Sequence, residues 1–273
     1  MSRTDSRLMS HAVEVVPDRL YVVPGKLPVD GRTSWTPPGV TGEQSTNVYL
    51  LRGEQDVLVD SGIAAIREQV MAGLGELLVP EAPVRVFLTR AQLDCVGNLG
   101  AVAAVYDVQD IFTGGARNPF DQFDAATSND SRAQGIGIAR SLGNPPVEIF
   151  NTPLRILATF WGYDAKTRTA FTSDSFTHVL AGDVENGVIL DDPSADKTTE
   201  AQVREHLFAA FWWLAVADKQ AIVRHVREFF ATHPVDVIAP NRGCVLKGRE
   251  IIDRHVEMLL SVLDEGPVSG GYN

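Results

Sequence analysis

The chain of 273 residues is 44% hydrophobic and 22% charged, which is material for one large domain or two small ones with a sizeable core. Its net charge of −11 argues against a nucleic-acid partner, because phosphate backbones need a basic face. No uninterrupted apolar run reaches the roughly 18 residues of a membrane span. The opening residues lack the apolar stretch of a secretory signal, and two cysteines build neither a disulfide framework nor a zinc module. Together these point to a cytoplasmic protein without a membrane partner.

Residues 1–12 read as a tail. A strand is expected at 19–23. Residues 24–45 hold four prolines and four glycines and predict a long loop with turns. Residues 47–51 and 56–60 read as a hairpin around Arg52-Gly53-Glu54-Gln55. From 63 to 78 the period is helical, with Ile63, Ile66, Val70, Leu74 and Leu78 on one face. A buried strand at 84–88 follows, then a polar turn and a short Ala-rich helix at 99–105. Residues 107–147 predict one strand near 110–112, a long loop of the kind that serves as a lid, and a short helix around 132–142.

Further strands are expected at 147–151, 158–163 and 169–172, the last two joined by the turn Asp164-Ala165-Lys166-Thr167. Residues 181–199 are acidic and loop-like. Helices are predicted over 201–216 and 219–230, a strand over 234–240, a turn at Asn241-Arg242-Gly243-Cys244, and a last helix over 249–263. Strands followed by helix in both the first and second thirds suggest two similar halves.

The chemistry gathers where strand 84–88 runs into Thr89-Arg90-Ala91-Gln92-Leu93-Asp94-Cys95-Val96-Gly97. Polar side chains at the C-terminal end of a buried strand are where α/β architectures place their sites. This stretch resembles the metallo-β-lactamase superfamily signature Thr-His-x-His-x-Asp-His. Thr89, Asp94 and Gly97 stand in place, while the three histidine positions hold Arg90, Gln92 and Cys95. Val-Leu-Val-Asp-Ser-Gly at 57–62, Phe171-Thr172-Ser173-Asp174, and Ile238-Ala239-Pro240-Asn241-Arg242-Gly243 are similar to further landmarks of that superfamily. The resemblance runs from about Leu20 to Leu263. It implies an α/β fold, an αββα sandwich of two mixed sheets flanked by helices, as a single domain over 13–265 with tails at 1–12 and 266–273.

Within the superfamily, Pro153-Leu154-Arg155, Tyr163-Asp164 and Ile-Ala-Pro-x-x-Gly are most similar to the oxygen-reducing di-iron branch, the flavodiiron core. That branch adds a flavodoxin domain for electron delivery. These 273 residues include none, so electron transfer is not carried over. The resemblance maps metal-binding positions onto Arg90, Gln92, Asp94, Cys95, Arg155, Asp174 and Arg242, of which only Asp94 and Asp174 match. Arginine stays protonated and offers a metal no lone pair. None of His11, His178, His206, His225, His233 and His255 falls on a motif position, although His178 is close in sequence to Asp174. The expectation is the fold without the di-metal centre, and no cofactor.

Three arginines against two carboxylates leave one surplus positive charge, or none if Cys95 is a thiolate. Two readings follow. In one, the arginines pair with the leftover carboxylates as a buried structural network. In the other, Arg90, Gln92, Arg155, Arg242 and Cys244 bind a small organic anion, with Asp94, Asp174 or Cys95 as acid, base or nucleophile. Neighbouring arginines would lower the Cys95 thiol pKa, and the resemblance brings Cys244 to the same site, where a disulfide is an alternative. Trp35, Phe160 and Trp161 are candidate pocket walls, each weighed against core packing. Phe211-Trp212-Trp213 reads as core or the interface of a homodimer. The function expected is a protein without the di-metal centre whose arginine-rich pocket binds a small organic anion, with a metal-independent enzyme as its catalytic form. The alternatives are a non-catalytic ligand-binding or scaffold subunit and, third, a metallo-hydrolase with rearranged ligands.

Overall fold

The computed structural model describes residues 11–31, 33–112, 140–142 and 146–265. Among the described residues, thirteen strands form two mixed sheets. The first holds β1 (Val13–Val16), β2 (Leu20–Val29), β3 (Gly42–Leu51), β4 (Asp56–Val59), β5 (Pro83–Phe87) and β6 (Asp107–Phe112), side by side in that order. The second holds β7 (Arg140–Leu142), β8 (Val147–Asn151), β9 (Phe160–Asp164), β10 (Thr169–Ser173), β11 (Ile189–Leu190), β12 (Val237–Pro240) and β13 (Val245–Lys247). Its spatial order is β11-β13-β12-β10-β9-β8-β7.

Alternation along the strands explains the layering. In β3, Tyr49 and Leu51 point into the space between the sheets, and Val48 and Leu50 point outward. In β12, Val237 and Ala239 face inward and Ile238 outward. Both faces are therefore apolar, and each sheet needs a helical cover. On the first sheet the cover is α1 (Arg67–Leu77), α2 (Leu93–Val96) and α3 (Leu99–Ala103). On the second it is α4 (Glu200–Ala210), α5 (Gln220–Thr232) and α6 (Arg249–Asp264). Each fully buried large apolar side chain contributes about 1.5–3 kcal/mol relative to exposure. This is the αββα sandwich that the sequence resemblance implies.

Four of the five positions expected on the buried face of the first long helix are buried, while Ile63 is half-buried and precedes the helical turns in extended geometry. Ile66, Val70, Leu74 and Leu78 are buried, Ile66 in a short 3₁₀ turn ahead of α1. The hairpin is β3–β4, with Tyr49 opposite Val59. Three local expectations are corrected. Residues 24–45 are not one loop, since β2 and β3 pair without a break from Leu20↔Leu51 to Val29↔Gly42. Among the described residues no strand pairs with the outer edge of β2 beyond β1, where the missing N–H of Pro24 or Pro28 costs no ladder bond. The helix expected over 201–216 stops at Ala210, because Phe211 leaves helical geometry at φ −130 and ψ 62, and a 3₁₀ turn follows over Trp212–Ala215. Residues 140–142 form a strand paired with β8 rather than the end of a helix. The rest of that helix and the lid expected within 107–147 lie outside the described residues. Among the described residues, no helix is long and apolar enough to cross a membrane.

Candidate active site

Four strand ends meet at one place. Asp60 follows β4, Arg90 follows β5, Asp174 follows β10 and Arg242 follows β12. The connections are tied across the sandwich. Phe160 N–H donates to Thr89 O at 2.8 Å, and Arg90 bridges Thr159. The turn carrying Arg242 is held by Asn47, whose Nδ2 donates to Pro240 O at 2.9 Å and to Gly243 O at 2.8 Å. Gly243 sits at φ +80, where a Cβ would lie 2.9 Å from the carbonyl oxygens of Thr177 and Val179. Only glycine fits that crossing without strain.

The two arginines and two aspartates close into a quartet. Arg90 pairs with Asp94 through Nη2 and with Asp174 through Nη1. Arg242 donates to Asp94 Oδ2 from Nη1 at 2.9 Å, and pairs with Asp174 Oδ1 through Nη2. Each guanidinium thus bridges both carboxylates, and the four charges cancel. All four side chains are at least nine-tenths buried. Such an array persists in a low-dielectric setting only because each charge has its partner. Arg90 Nε and Arg242 Nε are buried without a hydrogen bond among the described residues. Burial works against the Arg90 charge, but Cys95, Asp94 and Asp60 outweigh it and raise its pKa. Burial, with Arg90 beside it, lowers the pKa of Arg242.

Beneath the quartet lies a second layer. Thr89 donates its N–H to Asp60 Oδ1 at 2.8 Å, and its Oγ1 lies 2.8 Å from Asp60 Oδ2 and 2.9 Å from Ser173 Oγ. Asp60 and Ser173 both have positive φ, 58° and 51°, conformations that non-glycine residues hold only when their surroundings over-determine them. Burial pushes the Asp60 carboxyl up to about 7, against the opposing pull of the Thr89 hydrogen bonds and the Arg90 charge. The sequence marks Asp60 only as the end of Val-Leu-Val-Asp-Ser-Gly; its burial and its link to Thr89 are tertiary facts.

Above the quartet is a cavity of about 680 Å³. Arg90, Gln92, Asp94, Asp174 and Arg242 line it, with Trp35 among its walls as expected. Phe160 and Trp161 are not among its walls and pack in the core instead. Leu93 and Ile156 at the rim went unassigned from sequence, being apolar positions on irregular or short elements with no readable period, and Trp212, read there as core or interface, joins them. Trp35 is pinned by donating from Nε1 to Gln44 Oε1 at 2.8 Å.

Three other expected site residues fall elsewhere. Arg155 is exposed and forms no hydrogen bond or ion pair among the described residues, so it adds no charge to the quartet. Cys95 is fully buried in the core under α1–α3, accepting from Asn241 Nδ2 at 3.5 Å. Burial first, then Asp60 and Asp94, push its thiol pKa up, the reverse of the activation expected from nearby arginines. Cys244 packs in the opposite core, under α4–α6, and its thiol donates to Leu180 O at 3.4 Å. Burial pushes it up to about 12. Both cysteines are free thiols, so there is no disulfide. His178 turns away to His255, their Nε2 and Nδ1 atoms 2.8 Å apart.

These residues do not fit a di-iron centre. The guanidinium nitrogens of Arg90 and Arg242 hold the carboxylates that a metal would need. Among the described residues, no group of three or more His, Cys, Asp or Glu side chains is arranged to hold a metal.

No protein-family model and no curated protein sequence matches the chain. Solved structures do. Rubredoxin oxygen:oxidoreductase from Desulfovibrio gigas is 17% identical with a TM-score of 0.68, over 94% of this chain and 62% of that one. A fragment, 1–254, of a putative diflavin flavoprotein from Nostoc sp. PCC 7120 is 13% identical with a TM-score of 0.66, over 93% of this chain and 98% of the fragment. A metal-soaked flavodiiron core from Synechocystis sp. PCC6803 is 15% identical with a TM-score of 0.62, over 88% and 59%. The chain therefore has the metallo-β-lactamase-like fold of flavodiiron cores, and spans about three fifths of the length of the D. gigas protein.

Proposed function

We propose that this chain, folded as a flavodiiron core, is a metal-independent small-molecule-binding protein whose Arg–Asp quartet stands in place of a di-metal centre. The observation that carries this reading is the mutual bridging of Arg90 and Arg242 to both Asp94 and Asp174 beneath an open cavity. A cavity of about 680 Å³ lies within the range of ordinary ligand pockets, about 300–1,000 Å³. Of the roles weighed from sequence, the non-catalytic one gains most. Cys95 is buried as a thiol, Cys244 and Arg155 lie outside the cavity lining, and Asp94 and Asp174 are committed to arginines. A small organic anion would meet guanidinium groups that are already paired, which supports that ligand class less than the sequence count did.

A homodimer is part of the same proposal. Its support is Val216, a large apolar side chain 71% exposed directly after the Trp212–Ala215 turn.

The test is elemental analysis of protein purified without chelators, together with light scattering. The expected content is below about a tenth of an equivalent of iron, zinc or manganese, since a metal needs deprotonated donors that this set withholds. Near-stoichiometric metal would overturn the proposal and return a rearranged metallo-hydrolase to the front.

A further inference from the structure

One carboxylate oxygen of the quartet faces the cavity without a partner. All four terminal guanidinium nitrogens of Arg90 and Arg242 are engaged by carboxylate oxygens, and both Nε atoms are buried. On the carboxylate side, both contacts to Asp94 fall on Oδ2. Both oxygens of Asp174 are taken. Asp94 Oδ1 has no hydrogen bond among the described residues and is not among the buried unsatisfied atoms, on a side chain that lines the cavity and is nine-tenths buried. It is the one carboxylate oxygen of the quartet left for a ligand. The Gln92 side chain, which makes no capping bond at the start of α2, borders the same space.

The quartet carries no net charge of either sign, so the ligand class rests on the unpartnered Asp94 oxygen. The two guanidiniums are matched by Asp94 and Asp174, and the next ionisable carboxyl, Asp60, lies behind them through Thr89. No positive charge is left over for an anion. The walls are apolar and aromatic. Leu93, Ile156 and Trp212 line the mouth with about 60% of each side chain still in water. Covering such groups favours an apolar ligand body, and an indole face attracts a cation.

We propose that this pocket binds an organic amine: an aromatic or aliphatic body against Leu93, Ile156 and Trp212, with its ammonium donating to Asp94 Oδ1. This rests on the reading of the cavity as a small-molecule site and names the ligand class. It is a binding role, with no bond made or broken.

The experiment is a calorimetric titration of the whole chain with three probes that share one body: tryptamine, the neutral alcohol tryptophol, and indole-3-propionate. The expected order of affinity is tryptamine, then tryptophol, then the carboxylate, with at least a tenfold span. Asp94→Asn removes the acceptor charge and leaves the two arginines one positive charge in excess, so the order should reverse. If that variant fails to fold by circular dichroism, Gln92→Glu, at the cavity edge, should strengthen tryptamine at least threefold. Trp212→Ala should weaken all three probes alike. Indole-3-propionate binding the wild-type chain as tightly as tryptamine overturns the amine assignment and leaves the pocket reading intact. No binding of any probe at millimolar concentration overturns the pocket reading, and the amine assignment with it.

Discussion

The guanidinium carbon of Arg242 lies 4.4 Å from the ring centroid of Trp35 while its nitrogens grip Asp94 and Asp174. One side chain thus joins the wall of the cavity to its floor. The indole covers the guanidinium face, which makes no hydrogen bonds, and its edge donates to Gln44.

Trp35→Ala should therefore lower stability by about 1–2 kcal/mol, between the values for exposed and desolvated cation–π contacts, since Trp35 is half-buried. Trp35→Phe, which keeps a ring but not the Gln44 hydrogen bond, should lose less. Urea denaturation at neutral pH measures both. Equal losses for the two variants would show that the ring over Arg242 contributes nothing.

The quartet should be strongly non-additive. Asp174→Asn or Arg90→Met alone leaves a buried charge without its match and should cost about 3–5 kcal/mol. The double variant removes one charge of each sign and should cost clearly less than the two single losses together. A double-mutant cycle by denaturant titration reads the coupling. Simple additivity would mean that the four side chains do not act as a unit.

Two opposing proton linkages should shape stability between about pH 4 and pH 7. Asp60 binds its proton more tightly folded than unfolded, with its pKa raised from 3.8 to about 7. Stability is therefore lost as pH rises from about 4 through about 7, at most about 1.4 kcal/mol for each tenfold difference in proton affinity. His178 and His255 are held below their ordinary value of 6.5 by burial, and burial pushes His206 down to about 4. These groups bind protons more weakly when folded, so stability is lost as pH falls below about 6.5. Asp60→Asn should remove the opposing contribution, so that stability climbs more steeply with pH between about 4 and 7. An unchanged slope in that variant would remove Asp60 as a contributor.

Both thiols should be inert in the native protein. Cys95 and Cys244 are fully buried and their pKa values are pushed up. Ellman's reagent at pH 8 should label neither until urea is added, when both react. Rapid native labelling would contradict the burial of Cys95 beneath Asn241.

Much of the fold was legible because it rests on short-range pattern. Ile66, Val70, Leu74 and Leu78 recur every four residues and mark the buried face at α1. The alternation at 47–51 and 56–60 marks the β3–β4 hairpin. Pro24 and Pro28 misled, because whether a proline breaks a strand depends on which edge is paired, and β1 reaches along β2 only as far as the Val13↔Val22 pair. Phe211 likewise ends α4 with no breaker residue in the chain.

The sequence by itself determined that Arg90 and Arg242 stand where the resemblance places metal-binding histidines, and that neither can donate a lone pair. That is a property of the residue type, independent of its surroundings. Only the tertiary structure decided what the arginines do instead. It paired each with both Asp94 and Asp174, left Arg155 in solvent, and sent Cys95 and Cys244 into opposite cores. It also set Asp60 behind Thr89 and left Asp94 Oδ1 at the foot of an apolar cavity. Charge balance and proton affinity depend on distance and burial through space, and residues 60, 90, 94, 174 and 242 acquire those only when the strand ends converge.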